Sequence, residues 1–397
     1  MKAFWLLVGL SAYSSFGWAV TYGELLPNVM AKLPETQQLS DYQALSNANR
    51  QAADSWIPGE VELNLKHEND GLTGDQGFRS WEGGATFPIW WPGQSGHQSA
   101  IGDGYQQQTQ AGQAQLALMA SKQLRQVVWQ AKKAAMRLKF GRKNLQQTQA
   151  LVDLVQQKVD AGESPKFDLL LAQKSLYDAE KRLTQLQADY DVALQHYQFW
   201  TQQTELPSPL AETLVASAPE LDNHPDVQSL AARQKTEQAR LDLVEASRHS
   251  NPNLYLAAKN ERDDQTADNN ILIAEIRIPI GSNPMAPTRI AEQRQQLSQS
   301  QMALARVKQQ LEMDQFQARQ SLQAAQKNET LAAEQNALAE EAMRLAQTAY
   351  QEGETSIQNL LQMKQQYFED KLNFKLARLN RLEAIANLNQ ALGVRLK

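Results

Sequence analysis

The chain has 397 residues, of which 42% are hydrophobic and 21% are charged, and its formal net charge is −5. This length is enough for one large domain or for two halves of similar size. A mildly acidic chain has no excess of basic residues to bind phosphates, so nucleic acid is not expected as a partner. The absence of cysteine excludes disulfides, thiolate metal sites and cysteine nucleophiles.

The N-terminus has the pattern of a secretory signal peptide. Lys2 precedes a short apolar run, and the small residues Gly17 and Ala19 stand just before a cleavage point. We therefore predict export, with residues 1–19 removed. A single membrane anchor is the alternative, but serines and Gly17 break the run. No later segment approaches the ~20 apolar residues of a spanning helix, so only strands closed into a barrel could cross a membrane.

The chain is a tandem repeat with an offset of 191 residues. Gly162 and Gly353 lie in similar turns, each followed by paired leucines. The segment Phe87-Pro88-Ile89 corresponds to Ile278-Pro279-Ile280 at the same offset. We predict a first structural repeat over residues 20–203, a Pro-containing linker over 204–222 and a second repeat over 223–397.

Each repeat is predicted to start with a helix and a β-hairpin, at about residues 59–91 and 252–281. Apolar and polar residues alternate there with a period of two, which is typical of strands. In the second hairpin Ala274 and Ile276 alternate with Ile273, Glu275 and Arg277. An isolated two-stranded hairpin is marginal in water, so the two hairpins need further strands to complete a sheet.

Each repeat then continues as a long helical hairpin, at about residues 97–203 and 288–393. A sustained seven-residue apolar repeat predicts supercoiled helices. Its clearest line is Ile290, Leu297, Leu304, Leu311, Ala318, Ala325, Ala332, Ala339 and Ala346. Helices of about 60 residues at ~1.5 Å per residue would reach roughly 90 Å, which suits a rod or tunnel better than a compact enzyme.

These features together resemble the TolC family of outer-membrane efflux proteins. The resemblance rests on the repeated turns at 158–164 and 349–355, on Asn223-His224-Pro225-Asp226 and on the closing stretch 384–393. It implies an α+β membrane protein, in which a long coiled-coil α-helical barrel continues into a trimeric 12-stranded transmembrane β-barrel. Each subunit of the homotrimer would supply four strands, leaving no open edge in lipid.

The resemblance also assigns roles to residues of the second hairpin and of the first strand end. Glu275 and Arg277 would face the barrel lumen. Trp90 and Trp91 would form part of an aromatic girdle at the membrane interface. The alternative for this tryptophan pair is packing under the barrel, at the junction with the helices.

At the other end, the two turns would form the periplasmic tip of the tunnel and meet a periplasmic adaptor. Glycine suits a helix end because it adopts positive φ freely, and Ser164 or Thr355 could cap the following helix. The predicted adaptor contacts are Gly162, Glu163, Ser164, Gly353, Glu354 and Thr355.

The candidates for an entrance gate near this tip are Tyr350, Asn359, Gln362 and Asp168. Asn359 and Gln362 are neutral where drug-efflux relatives carry acidic residues. The resemblance therefore does not imply an acidic ring that attracts cations in this chain.

The resemblance implies an exported outer-membrane exit duct with a long periplasmic extension, working with an adaptor and an inner-membrane pump of the resistance-nodulation-division type. The short chain looks most like the branch that serves heavy-metal cation pumps. The alternatives are the duct of a type I protein secretion system, a periplasmic adaptor and a structural coiled coil. The five histidines are scattered and no Gly-rich phosphate loop follows a strand, so no enzyme, cofactor or metal site is expected.

Overall fold

The computed structural model describes residues 20–397 except residues 73, 75, 218, 266 and 282. The predicted signal peptide, residues 1–19, lies outside the described residues. The first repeat consists of α1 (Tyr22–Lys32), α2 (Glu35–Asp54), β1 (Glu62–Asn69), β2 (Arg79–Pro88), α3 (Gln94–Asp160) and α4 (Lys166–Thr201).

The second repeat follows the same order of elements. A 3-10 turn (Leu221–Asn223) leads into α5 (Pro225–Ala246), β3 (Asn253–Arg262), β4 (Asn269–Arg277), α6 (Ala286–Gln351) and α7 (Ile357–Ala391). The elements α2 to α4 and their counterparts α5 to α7 begin 190 to 192 residues apart. The offset found in the turns therefore holds along the whole repeat.

The two hairpins complete each other in one antiparallel sheet, with the strand order β1-β2-β3-β4. Strand β2 pairs with β3 from Arg79 opposite Arg262 to Pro88 opposite Asn253, which joins the two repeats side by side. Four paired strands overcome the marginal stability of a single hairpin. Within one chain β1 and β4 are left as the edges of the sheet.

Two very long helices run away from the sheet. α3 has 67 residues and α6 has 66, so each spans about 100 Å at ~1.5 Å per residue. The shorter α4 and α7 return along them, while α2 packs on α3, and α5 packs on both α3 and α6. No helix in the described part of the chain combines the length and the apolar character that crossing a membrane requires.

The heptad positions are buried to different extents on the two long helices. On α3, Leu124, Ala131, Leu138 and Val152 are all buried. On α6, most members of the predicted line are only half-buried, although Leu297, Leu311 and Ala332 are buried. A separate set of apolar side chains on α6 is exposed: Met302, Met313, Phe316, Leu331, Leu338 and Leu345. A single chain therefore leaves one face of α6 open.

The linker between the repeats is held by a buried polar network. Arg125 of α3 is 2% exposed and donates two hydrogen bonds to Glu212 of the linker, at 2.8 and 2.7 Å. Arg125 also donates to Gln390 of α7 at 2.5 Å, and the Asn389 amide donates to Glu212 at 3.2 Å. One guanidinium thus joins the linker to both repeats.

Candidate functional site

The sheet has one apolar face and one polar face, because opposed residues of neighbouring strands share a face. The apolar face carries Leu63, Leu65, Trp81, Ala85, Phe87, Leu254, Leu256, Leu272, Ala274 and Ile276. This face is open in one chain, where Leu63 is 84% exposed and Ile276 is 64% exposed. An exposed apolar surface of this extent marks a region that meets lipid or protein.

The opposite face is rich in charged and hydroxyl side chains, with Ile271 and Ile273 as exceptions. Glu275 and Arg277 both lie on this polar face, where Arg277 Nε is 2.7 Å from Glu275 Oε1. The Tyr255 hydroxyl donates to Glu82 at 2.6 Å, and the Arg277 guanidinium lies 5.3 Å from the Tyr255 ring centroid. The two residues predicted to face a lumen are thus part of a network of paired charges.

The two tryptophans after β2 lie where the sheet meets the helices. Strand β2 ends at Pro88, so neither Trp90 nor Trp91 continues it. The Trp90 indole N–H donates to the Ser55 carbonyl at 2.8 Å, and that of Trp91 donates to the Ser250 carbonyl at 3.1 Å. These bonds favour packing at the helix junction. A contact with the membrane interface remains a prediction.

The two glycine turns have the same backbone geometry. Gly162 has φ +77° and Gly353 has φ +78°, as expected where a helix ends in a left-handed residue. The Glu163 N–H donates to the Lys158 carbonyl and the Glu354 N–H donates to that of Ala349, both at 2.8 Å. This pattern closes both helix ends, and it leaves Glu163 and Glu354 exposed at the tip.

The predicted caps of the helices after the turns were wrong by one residue. The residue before α7 is Ser356, whose hydroxyl accepts from the Asn359 N–H at 3.3 Å, while Thr355 accepts from the Asn359 side chain. The residue before α4 is Pro165, which makes no side-chain cap. Both helices begin one residue later than expected, which moves the cap away from Ser164 and Thr355.

Tyr350 joins the two turns within one chain. It is 5% exposed and belongs to an apolar cluster with Val155 of α3, Leu169 of α4 and Ile357 of α7. The Lys158 ammonium lies 5.1 Å from the centroid of its ring. The end of α6 is therefore packed against the first helical hairpin as well as against α7.

The Tyr350 hydroxyl is buried without a regular hydrogen bond to any described residue. Burial raises the pKa of this hydroxyl, the Ser164 side chain opposes the shift, and Asp168 adds to it. The structure thus brings Asp168 near Tyr350. Asn359 and Gln362, the other two gate candidates, lie on the exposed surface.

The sequence analysis did not identify Lys364, a buried lysine near the tip. The Lys364 ammonium donates to the Thr148 hydroxyl at 2.9 Å, and burial lowers the pKa of Lys364 to about 8. The available signal was its place in the apolar row Ile357, Leu360, Lys364 and Phe368 of α7, all of which are buried. A lysine in a row of buried apolar residues indicates that its ammonium group is buried as well.

Three of the histidines have local structural roles. The His67 ring stacks on Trp81, with centroids 4.1 Å apart. Buried His224 caps α5 by accepting from the Asp226 N–H at 3.2 Å, and His249 contacts the Gly281 carbonyl. In the ranges that the structure describes, no three metal-binding side chains are grouped so as to hold an ion.

Comparisons with known proteins agree with this architecture. Residues 218–394 match the family model described as outer membrane efflux protein. No curated protein matches the chain in sequence.

Solved structures match across both repeats. CusC, solved in a study of transmembrane channel formation, has a TM-score of 0.72 at 16% identity over 97% of this chain and 96% of its own. The outer-membrane channel OprN has a TM-score of 0.73 at 17% identity over 94% and 89%. The open outer-membrane channel MtrE of Neisseria gonorrhoeae has a TM-score of 0.69 at 14% identity, also over 94% and 89%. Identities this low establish the fold alone.

Proposed function

We propose that this chain, whose residues 218–394 match the family model described as outer membrane efflux protein, is one subunit of an outer-membrane exit duct. The observation that carries the proposal is the sheet with one open apolar face and one face of paired charges. A barrel wall between lipid and a wet lumen needs this separation of faces. The fold similarity to two outer-membrane channels, OprN and MtrE, and to CusC, which forms a transmembrane channel, supports the same function.

The proposed duct is a homotrimer. Strands β1 and β4 are the edges of the sheet, and an unpaired edge is not tolerated in lipid. Pairing β1 of one copy with β4 of the next removes every edge, and three copies of four strands would close a twelve-stranded barrel. The open face of α6 would then pack against a neighbouring copy, and the helices would form the wall of a periplasmic tunnel.

The proposed protein partner binds at the end of the molecule opposite the sheet. The two exposed glycine turns are the proposed contact for a periplasmic adaptor, which would connect the duct to an inner-membrane pump of the resistance-nodulation-division type. Residues 1–19 would be removed during export. The likeness of the short chain to the heavy-metal cation branch makes heavy-metal cations the proposed cargo class.

The faces of the sheet provide the test of the proposed duct. Ile276→Arg is expected to impair insertion and trimer assembly, since it places a cation on the lipid face; Ile276 is one residue from the end of β4, so the cost should be smaller than the ~2–4 kcal/mol of the membrane midplane. Arg277→Gln changes the neighbouring residue on the polar face and is expected to leave assembly intact. Trimer yield in purified outer membranes and single-channel conductance in a planar bilayer are the measurements. If both variants assemble equally well, the proposed orientation of the sheet is wrong.

A further inference from the structure

Two arginines lie directly opposite each other at the end of the sheet that is farther from the helices. Arg79 is the first residue of β2, and it is paired with Arg262, the last residue of β3. Directly opposed residues share a face, with Cβ atoms about 4.5–5.5 Å apart, and like charges in this arrangement repel each other. Both arginines are exposed, and neither makes an ion pair with a described carboxylate.

The carboxylates next to Arg262 along the chain have other partners. Glu261 is paired with Lys259 on the polar face of the sheet, with 2.7 Å between the ammonium and the carboxylate. Asp263 accepts a hydrogen bond from the Gln265 N–H at 2.9 Å. The arginine pair therefore presents two adjacent positive charges that the sheet does not neutralise.

The arginine pair lies on the apolar face of the sheet. Side chains alternate between the two faces along a strand, so Arg79 shares a face with Trp81 and Phe87. The pairing of β2 with β3 is unbroken from Arg79 to Pro88, so no bulge changes this alternation. Trp81, the next residue on this face, is 52% exposed and stacks on His67. Exposed tryptophan beside a cationic residue is typical of the boundary between acyl chains and lipid headgroups.

The length of the strands places the arginine pair at a membrane surface. β2 and β3 have 10 residues each. At ~3.4 Å per residue and a tilt of roughly 40°, such strands rise by about 23 Å, close to the ~25 Å height of the apolar band of an outer-membrane barrel. With the helix end of the sheet at one boundary of this band, Arg79 and Arg262 lie at the other.

A groove of about 280 Å³ follows on the same face. Its floor is formed by Gly83 and Ala258, which oppose each other four residues from the arginine pair, or ~13 Å along the strands. Trp81, Leu65 and Leu272 border this floor, and the two leucines are 78% and 89% exposed. The groove thus extends from the arginine pair toward the middle of the apolar band.

The polar residues that border the groove do not place a charge in it. Glu82 and Lys259 are opposed to each other on the polar face, and both have partners there. The amide of Asn260 donates to that of Asn270 at 3.0 Å. The groove therefore suits an uncharged chain, while the arginine pair at its end suits an anion.

We propose that this face binds one phosphate-bearing lipid per subunit, with the phosphate between Arg79 and Arg262 and an acyl chain in the groove. This inference rests on the proposed duct, whose apolar face lies in lipid. A phosphate accepts hydrogen bonds from both guanidinium groups and removes the repulsion between them. The acyl chain would cover Gly83 and Ala258, whose small side chains leave the surface of the sheet open.

The test uses the purified protein in a neutral detergent, with dioleoyl phosphatidate as the probe and native mass spectrometry as the measurement. We expect saturable binding of one phosphatidate per chain. Dioleoylglycerol has the same acyl chains without the phosphate, and it should bind at least about tenfold more weakly because the charge-assisted hydrogen bonds are lost. Glycerol 3-phosphate has the phosphate without the chains and should compete poorly. Equal binding of the two lipids, or full competition by equimolar glycerol 3-phosphate, would refute the proposal.

Variants then locate the phosphate. Arg79→Gln and Arg262→Gln should each weaken phosphatidate binding about tenfold. Arg277→Gln is the matched control, since it removes the same charge from the opposite face of the same sheet, and it should bind phosphatidate like the unaltered protein. Equal losses in all three variants would place the lipid elsewhere. In the absence of phosphatidate, Arg262→Gln should not lower the melting temperature, because the two arginines repel each other. A lower melting temperature would mean that the protein itself holds Arg262 in place.

Gly83→Val tests the groove without changing any charge. A Cβ atom at this position would lie 4.0 Å from Leu65 Cδ1, so a larger side chain can be accommodated. Valine would fill the floor of the groove and should weaken phosphatidate binding about threefold, since less of the acyl chain is buried. Unchanged affinity in Gly83→Val would exclude the groove as the acyl site.

The outcomes also separate this inference from the proposed duct. If Ile276→Arg and Arg277→Gln assemble equally well, the sheet is not oriented as proposed and both proposals fail. If the unaltered protein forms trimers and conducts, but phosphatidate binds no better than dioleoylglycerol, the lipid site alone is wrong.

Discussion

Lys364 shows how one residue can oppose the packing around it. An apolar residue in the same row would fill the space between α3 and α7 without burying a charge. The lysine instead buries an ammonium against Thr148. A buried ammonium group without a carboxylate partner is unusual, because burial disfavours the charged form.

The cost of the buried ammonium should depend on pH in a defined direction. The pKa of Lys364 is lowered from 10.5 to about 8, so folding disfavours the charged form. The penalty is fully present below pH 8, declines as the pH rises, and is absent above 10.5, where the lysine is neutral in both states. Lys364→Met should therefore raise the free energy of unfolding at pH 7 by up to about 3 kcal/mol. Thermal unfolding at pH 7 and at pH 9.5 would show a smaller gain at the higher pH, and an equal gain at both would contradict the lowered pKa.

Tyr350 should contribute to the stability of the tip through its ring. Tyr350→Phe removes a hydroxyl that makes no regular hydrogen bond, so unfolding should change by no more than about 1 kcal/mol. Tyr350→Ala leaves a cavity between the two helical hairpins and should cost about 3–5 kcal/mol. Unfolding by urea measures both. A large loss of stability in Tyr350→Phe would mean that the hydroxyl bridges the helices.

The glycine turns and the caps beside them differ in how far the sequence predicts them. Gly162 and Gly353 could be placed because a helix end with positive φ favours glycine, and both have that conformation. The caps could not be placed in this way. A shift of one residue puts Ser356 at the cap position in place of Thr355, and Pro165 in place of Ser164. The hydroxyls near each turn compete for the same N–H groups, and the pattern of residues alone does not decide between them.

At the scale of elements, Arg125 fixes the position of the linker. Glu212→Ala would leave the guanidinium buried without its carboxylate, which should lower the free energy of unfolding by about 3–5 kcal/mol. The matched control is Glu341→Ala, which breaks the exposed pair with Arg344 and should have no measurable effect. Chemical denaturation of the two variants side by side is the measurement. Equal effects would mean that the network around Arg125 adds no stability.

The two-residue alternation predicts the strands, and the seven-residue repeat predicts the long helices. Both patterns can be found in the sequence because they involve residues that are close to one another along the chain. The strand ends are less predictable: Ile278 and Ile280 continue the apolar alternation but lie beyond β4, which ends at Arg277. The network of Arg125 was not predictable either. Glu212 and Gln390 lie 87 and 265 residues away along the chain, and only the packing of the helices brings them together.

For the whole molecule, the surfaces that one chain leaves open are the informative ones. The edges β1 and β4, the apolar face of the sheet and the open face of α6 all lack a partner within the described part of the chain. The strand edges need another strand to pair with. The apolar face of the sheet suits lipid, and the open face of α6 suits another helix. One arrangement, a closed ring of identical chains with its sheet in a membrane, would satisfy all three together.

That arrangement predicts that apolar residues on α6 stabilise the assembly and not the isolated chain. Leu338 is 74% exposed in one chain, so Leu338→Lys removes little packing within it. In the ring, the lysine would place a charge in an apolar contact between subunits, and the fraction of trimer should fall markedly. Gln326→Lys, which introduces the same charge at an exposed position on a different face of α6, is the control and should assemble normally. Native mass spectrometry of detergent-solubilised protein would measure the trimer fraction, with circular dichroism confirming that helix content is unchanged. If Leu338→Lys forms trimers as readily as Gln326→Lys, then this face of α6 points away from the neighbouring subunit, and the subunits must meet through other helices.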